Sequence, residues 1–265
     1  MKIILPIKQV PETGNVRMDE QTGTMVRDGV ESIVNPLDLY AIELALRLRE
    51  QNGGEIIAIT MGPPSAEKAL REAVAMGCDS AILLSDKSFA GADTWATGYV
   101  LSQAIRNIGG YDMIICGERA TDGDTGQVGP GIASFLDLPV MTYVCAVDEI
   151  SDKSCRVKRL IEDGNEKWEV NLPTVLTVVK EIAVPRLPTL RSKQKSRALK
   201  IPAWGAADVN ADVNLTGLAG SPTRVVKIFR PQVSRKCEKI SATDETTINA
   251  AADLFVEFLA KRELV

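Results

Sequence analysis

The sequence predicts an α/β fold: a doubly wound, mainly parallel sheet with an antiparallel extension and a C-terminal arm. Three observations predict it. From Lys2 to about Cys116, short β-branched runs alternate with amphipathic stretches, the pattern of βαβ units. After Pro139 the helical period gives way to strand-like runs, and beyond Val184 the chain turns rich in proline and cations before one last amphipathic stretch.

Four parallel strands are expected at Lys2 to Ile7, Glu55 to Thr60, Ser80 to Leu84 and Asp112 to Cys116, each nearly continuous in apolar residues as strands covered on both faces should be. Asn35 is a candidate cap for the first helix, with Pro36 at its N1 position. Leu37, Ala41, Leu44 and Leu48 form its buried stripe, and Gly53-Gly54 ends it. Ser65 is the candidate cap of the second helix and Gly77 its stop. Asp93 is the candidate cap of the third, which carries Leu101, Ala104, Ile105 and Ile108 before Gly109-Gly110. Between the first strand and first helix, residues 9–34 read as a small hairpin, with Val16 to Met18 and Thr24 to Val26 flanking Gln21-Thr22-Gly23. The antiparallel extension is expected from Val140 to Val147, Cys155 to Ile161, Lys167 to Val170 and Thr174 to Val179, and the final helix from about Glu245 to Arg262.

Composition removes whole classes of function. The 265 residues contain no histidine, which eliminates the commonest general base, the usual metal ligand and every Ser-His or Cys-His nucleophile. The five cysteines, Cys78, Cys116, Cys145, Cys155 and Cys237, form no Cys-x-x-Cys pair and read as inert thiols, so no metal site is expected. A net charge of −4 argues against a global attraction to nucleic acid or to anionic membranes. The longest apolar runs fall far short of the roughly 20 residues that a spanning helix needs. Met1 to Pro6 does not resemble a signal or transit peptide, so a cytoplasmic location is expected.

The most informative stretch is Gly117 to Pro130, Gly-Glu-Arg-Ala-Thr-Asp-Gly-Asp-Thr-Gly-Gln-Val-Gly-Pro, at the end of the fourth strand. A glycine-rich turn from a parallel strand into a helix exposes backbone N–H groups at a positive dipole end, which suits phosphate oxygens. It is neither a Walker loop nor a Gly-x-Gly-x-x-Gly fingerprint, and taken alone it also reads as a tight strand-to-helix turn.

Taken together, several segments resemble the β subunit of electron-transfer flavoproteins over nearly the whole chain. They are Lys8-Gln9-Val10-Pro11, Arg27-Asp28-Gly29-Val30, Asn35-Pro36, Met61-Gly62-Pro63-Pro64 and Asp122 to Pro130. Arg159 to Glu166 followed by Leu172-Pro173-Thr174-Val175 is similar to the family's acidic-turn signature, with Trp168 where that signature has an aliphatic residue. The resemblance implies an adenine-nucleotide-binding α/β domain over residues 1–183, a partner-docking loop and linker over 184–204, and an arm over 205–265 that packs on a flavin-carrying α subunit.

The same resemblance implies a pocket that holds AMP in ordinary members. In flavin-bifurcating members it holds FAD, which takes hydride from NADH and feeds a flavin-containing dehydrogenase and ferredoxin. This chain resembles the bifurcating branch because Asp124 runs directly into Thr125-Gly126-Gln127 and because Gly91-Ala92-Asp93-Thr94 matches a segment found beside that flavin. Carried over residue by residue, Pro6, Asn35, Asp38 and Met61 surround the adenosine half, with Gly117, Arg119 and Ala120 below it. Asp122, Thr125, Gly126, Gln127, Val128 and Gly129 surround the diphosphate. Asp93 and Thr94 lie near the isoalloxazine. No catalytic side chain is expected.

Arg191 to Lys200 carries five cations and no acid, and most such runs are only solvated. Pro185-Arg186 and Thr189-Leu190 match the family's docking loop, which makes Leu190 its apolar anchor; Arg191-Ser192-Lys193 departs from the more apolar run of mitochondrial members. Two other classes compete: an ATP-binding sensor module on the same fold, and an ATP-pyrophosphatase or adenylyl-transfer enzyme. The second normally carries a Ser-Gly-Gly-x-Asp-Ser or histidine-containing signature, which is missing here.

Overall fold

The computed structural model describes residues 1–12, 17–18, 25–26, 32–226 and 239–264. Its strands are β1 (Lys2–Pro6), β2 (Gln9–Pro11), β3 (Arg17–Met18), β4 (Met25–Val26), β5 (Ser32–Val34), β6 (Glu55–Met61), β7 (Ser80–Leu84), β8 (Met113–Gly117), β9 (Val140–Ile150), β10 (Ser154–Ile161), β11 (Gly164–Asn171), β12 (Thr174–Val178) and β13 (Ala203–Trp204). Its helices are α1 (Pro36–Asn52), α2 (Glu67–Met76), α3 (Thr94–Ile108), α4 (Val128–Leu136), α5 (Leu190–Ala198), the short α6 (Gly217–Gly220) and α7 (Glu245–Ala260). The chain divides into two units, Met1–Lys227 and Ile228–Val265.

In the first unit a nine-stranded sheet runs in the order β11-β10-β9-β12-β8-β1-β6-β7-β13. Every pairing from β9 to β13 is parallel, and only β9–β10 and β10–β11 are antiparallel. The antiparallel extension is therefore the hairpin of β10 and β11 against β9, while β9 and β12 continue the parallel sheet. Alternation along β1 divides the core: Ile3 and Leu5 pack with Ala41, Ile42, Ala45, Leu70 and Val74 of α1 and α2. Ile4 packs on the other face with Val100, Ala104 and Ile105 of α3 and Ile132 of α4. Helices on both faces of a parallel sheet make the fold doubly wound.

The strand order turns at β1. From β1 the chain winds through β6 and β7 on one side, then crosses to β8 and β12 on the other. In open parallel sheets the crevice outside the carboxyl ends at such a switch point is where ligands bind. Here that crevice lies beyond Pro6 and Gly117.

Local chemistry explains most boundaries. Pro36 opens α1, and Gly53, at φ 71°, ends it in a conformation costly for other residues. Asp93 caps α3 as expected, accepting from the N–H groups of Trp95 and Ala96. Ser65 does not cap α2: Pro63 and Pro64 lead into a 3₁₀ turn over Pro64–Ala66, so the α-helix starts only at Glu67 and Ser65 sits inside the turn. β2 pairs with β5 and β3 with β4, both antiparallel, as a hairpin requires; its Gln21-Thr22-Gly23 turn and Arg27 to Val30 lie outside the described residues. The cation-rich run folds as α5, capped by Thr189 and held by Ser196, which donates to Arg71 O of α2 at 2.5 Å.

In the second unit, α7 begins with a capping box between Asp244 and Thr247 and buries none of its side chains.

Candidate functional site

The crevice is organised by a buried pair. Asn35 and Asp38 stand at the start of α1, 0% and 6% exposed. Asp38 Oδ2 accepts from the N–H of Lys8 at 2.7 Å, just past β1, and Asp38 Oδ1 accepts from the Asn35 amide at 2.9 Å. The same amide donates to Arg119 O at 2.9 Å, and Asn35 Oδ1 accepts from the Thr121 N–H at 3.2 Å. Asn35 therefore spends its side chain on the loop after β8 and makes no cap hydrogen bond to its own helix. Burial pushes the Asp38 carboxyl up to about 7, against the pull of the Asn35 amide, the Lys8 N–H and charge, and the Gly117 N–H.

Gly117 ends β8 against this pair. A Cβ there would stand 2.4 Å from Asp38 Oδ1 and 2.9 Å from the Leu37 carbonyl carbon, so only glycine fits. Beyond it, two of the loop's acids are paired with cations. Lys8 Nζ reaches Asp122 Oδ1 at 2.8 Å, and Arg119 Nε reaches Asp124 Oδ1 at 3.1 Å. Asp124 occupies the left-handed region at φ 55°, where its N–H closes a turn on Ala120 O at 2.8 Å. These pairings offset the negative charge that would otherwise repel an anion bound nearby.

Thr125 to Gly129 then lead into α4. Among the described residues, no acceptor takes the N–H groups of Thr125, Gly126, Gln127, Val128 or Gly129. Gly126 has φ 64°. A Cβ on buried Gly129 would meet Thr177 Cγ2 at 2.5 Å, which lets the helix start lie close against β12. A run of free donors at a positive helix end suits the oxygens of a phosphate or diphosphate.

A second segment joins this turn from α3. Thr94 Oγ1 donates to Gln127 Oε1 at 2.9 Å. Asp93 is held below the usual carboxylate range: partial burial raises it, but the Ala96 N–H, the Thr223 hydroxyl and N–H, and the Trp95 N–H together outweigh that. Beside Thr94, the rings of Trp95 and Phe135 meet edge to face at 5.2 Å.

Of the residues singled out in the sequence, Asn35, Asp38, Gly117, Arg119 and Asp122 thus converge with Lys8 at the switch point. Thr94 converges with Gln127 at the α4 turn. Pro6 is buried at the end of β1, Met61 is half-buried at the end of β6, and Ala120 is half-buried in the loop between. Leu190 lies apart, 83% exposed at the start of α5. Sequence reasoning missed the Lys8–Asp122 bridge and the Ser221–Thr223 contacts of Asp93, because neither spacing nor periodicity links residues so far apart in the chain. Among the described residues no group of His, Cys, Asp or Glu could hold a metal, and no helix is long and apolar enough to cross a membrane.

The fold and crevice define a doubly wound α/β protein with a crevice at the switch point of its sheet. A family model, the electron transfer flavoprotein domain, matches residues 22–209. The chain is 46% identical over 268 residues to the electron transfer flavoprotein subunit beta of Thermoanaerobacterium thermosaccharolyticum, covering all of both chains. It is 43% identical over 266 residues to the caffeyl-CoA reductase-Etf complex subunit CarD of Acetobacterium woodii, again over all of both. It is 40% identical over 270 residues to Protein FixA of Azorhizobium caulinodans, covering 99% of this chain and 95% of that one. The chain belongs to the electron transfer flavoprotein family, among its β subunits, which pair with an α subunit.

Proposed function

We propose that this chain holds FAD in the switch-point crevice. As the β half of a bifurcating heterodimer, it relays electrons from NADH to a flavin-containing dehydrogenase and to ferredoxin, or in the reverse direction. The observation that carries this reading is the Thr94–Gln127 hydrogen bond. It ties the Gly91 to Thr94 segment to the turn after Asp124, and these are the two stretches whose sequence resembles FAD-holding members.

In this reading Pro6, Asn35, Asp38 and Met61 flank the adenosine, with Gly117, Arg119 and Ala120 beneath. The free N–H groups from Thr125 to Gly129, with Asp122 neutralised by Lys8, receive the diphosphate. Asp93 and Thr94 border the ring. FAD when bound supplies the redox chemistry, taking up a hydride and handing electrons on singly. The chain supplies position and charge; no side chain serves as nucleophile or base, in keeping with the absence of histidine. Leu190 anchors the dehydrogenase, the arm over 205–265 packs on the α subunit, and the complex works in the cytoplasm. That one relative belongs to a caffeyl-CoA reductase-Etf complex supports a partner of the reductase or dehydrogenase class.

The test is the nucleotide content of the heterodimer purified with its α partner. Two FAD per heterodimer, with direct reduction by NADH, is the expected result. One FAD and one AMP, with no reaction with NADH, would overturn bifurcation and leave an ordinary electron transfer flavoprotein.

A further inference from the structure

Residues 88–93 and 216–223 are zipped together by hydrogen bonds. Thr216 Oγ1 donates to Ser88 O at 3.1 Å, the Leu218 N–H to Ala90 O at 2.9 Å, and the Asp93 N–H to Ser221 Oγ at 2.8 Å. The Asp93 carboxylate divides its oxygens between two tasks. Oδ1 caps α3, accepting from Trp95 and Ala96 at 3.0 Å each. Oδ2 accepts from the N–H of Thr223 at 3.0 Å and from its hydroxyl at 2.8 Å. The next residue, Thr94, holds Gln127. An unbroken run of contacts therefore leads from Thr223 through Asp93 and Thr94 to the start of α4. A helix cap needs only one acceptor oxygen, so the second is free to serve the latch.

We propose that Asp93 is a positioning residue: by latching Thr223 it fixes the start of α3, and through Thr94 and Gln127 the turn that retains the nucleotide. The proposal rests on the reading that Thr125 to Gly129 receive a diphosphate. When Thr223 leaves, Oδ2 loses both its donors, the carboxylate is free to turn, and Thr94 no longer presents a fixed hydroxyl to Gln127. Latch and nucleotide then favour one another, because each orders what the other needs ordered.

The test uses the heterodimer and measures how fast nucleotide leaves this chain's site on dilution, with AMP and FAD as the two probes. Thr223→Val removes the hydroxyl donor and should speed release about tenfold, the effect of one charge-assisted hydrogen bond. Thr223→Ser restores the donor and should restore wild-type retention. Asp93→Ser keeps an efficient cap but loses both the hydroxyl and the N–H of Thr223, so it should speed release at least as much as Thr223→Val, which keeps the N–H. The double variant should be no worse than Asp93→Ser alone, since that change already removes the hydroxyl contact that Thr223→Val breaks. Strictly additive losses, or wild-type retention in Thr223→Val, would overturn the latch. Gly126→Asp separates the two possible failures. If it abolishes retention while Thr223→Val does nothing, the latch alone is wrong; if neither variant changes retention, the turn does not receive the diphosphate and the proposal falls with that reading.

Discussion

The Asn35 amide and the Asp38 carboxylate meet at 2.9 Å in the interior, three residues apart on the first turn of α1. Through this one contact three separate segments are tied: the chain leaving β1 at Lys8, the start of α1, and the loop leaving β8 at Arg119 and Thr121.

Asp38 links this contact to pH. Its carboxyl titrates near 7 in the folded protein against an ordinary value of 3.8, so its contribution to stability is complete below about pH 4 and is lost as pH rises through 7. Asp38→Asn removes the titration. The unfolding midpoint of wild type, relative to that of the variant, should fall between about pH 4 and pH 7 and level off above that when measured in urea. A constant difference across that range would show that Asp38 keeps an ordinary pKa.

Gly126→Asp tests the turn. The position has φ 64°, which aspartate tolerates better than most residues, and its Cβ would meet nothing closer than Glu118 O at 3.5 Å. The fold should survive while a carboxylate stands where the proposed reading puts phosphate charge. Nucleotide affinity should drop on the order of 100-fold, by like-charge repulsion. Equilibrium dialysis with AMP and FAD reads the result.

Arg186 holds the segment before α5 to α1. Its guanidinium reaches Glu43 at 2.8 Å and also Glu50, and its own N–H donates to Glu43 at 3.1 Å. Burial raises the Glu43 carboxyl, but bonds from Arg186 and Arg47 outweigh it and hold the group below its ordinary range. Arg186→Ala leaves that buried carboxylate to Arg47 and should cost about 2–3 kcal/mol in chemical denaturation at pH 7. The deficit should shrink in acid, because Glu43 contributes stability above its ordinary pKa and loses it as pH falls through the folded value.

Leu190→Ala should leave stability within about 0.5 kcal/mol, since the side chain is 83% exposed. Leu187, at 88%, and Val184, at 81%, stand bare on the same loop, so the surface remains partly apolar. If Leu190 anchors the proposed dehydrogenase, electron delivery to it should slow about tenfold while flavin content stays unchanged. Wild-type delivery in stopped-flow mixing would remove Leu190 from the interface.

The parallel strands were legible because their apolar runs have no rival reading between two helices, and Asp93 was legible as a cap because capping is local. Asn35 showed the limit. Its position before Pro36 marks a helix start correctly, yet its side chain goes to Arg119 and Thr121, residues that only the crossover to β8 brings near. Ser65 failed for a related reason, since two prolines impose their own turn before the helix pattern takes hold. Leu190 to Ala198 looked like linker because a cation-rich run has no buried stripe. It folds because α2 offers Arg71 as an anchor, which no pattern within the run reveals.

β13 is only two residues long, yet it closes the outer edge of β7: the Leu83 N–H bonds to Pro202 O and the Ser85 N–H to Trp204 O, both at 2.9 Å. During synthesis β7 is complete long before residue 204 leaves the ribosome. For that interval the nascent chain carries an apolar parallel strand with open hydrogen-bonding groups on one side, a template for pairing with other chains. Truncation before Pro202 makes the interval permanent, and such fragments should collect as aggregates even though every residue of the switch-point crevice is present.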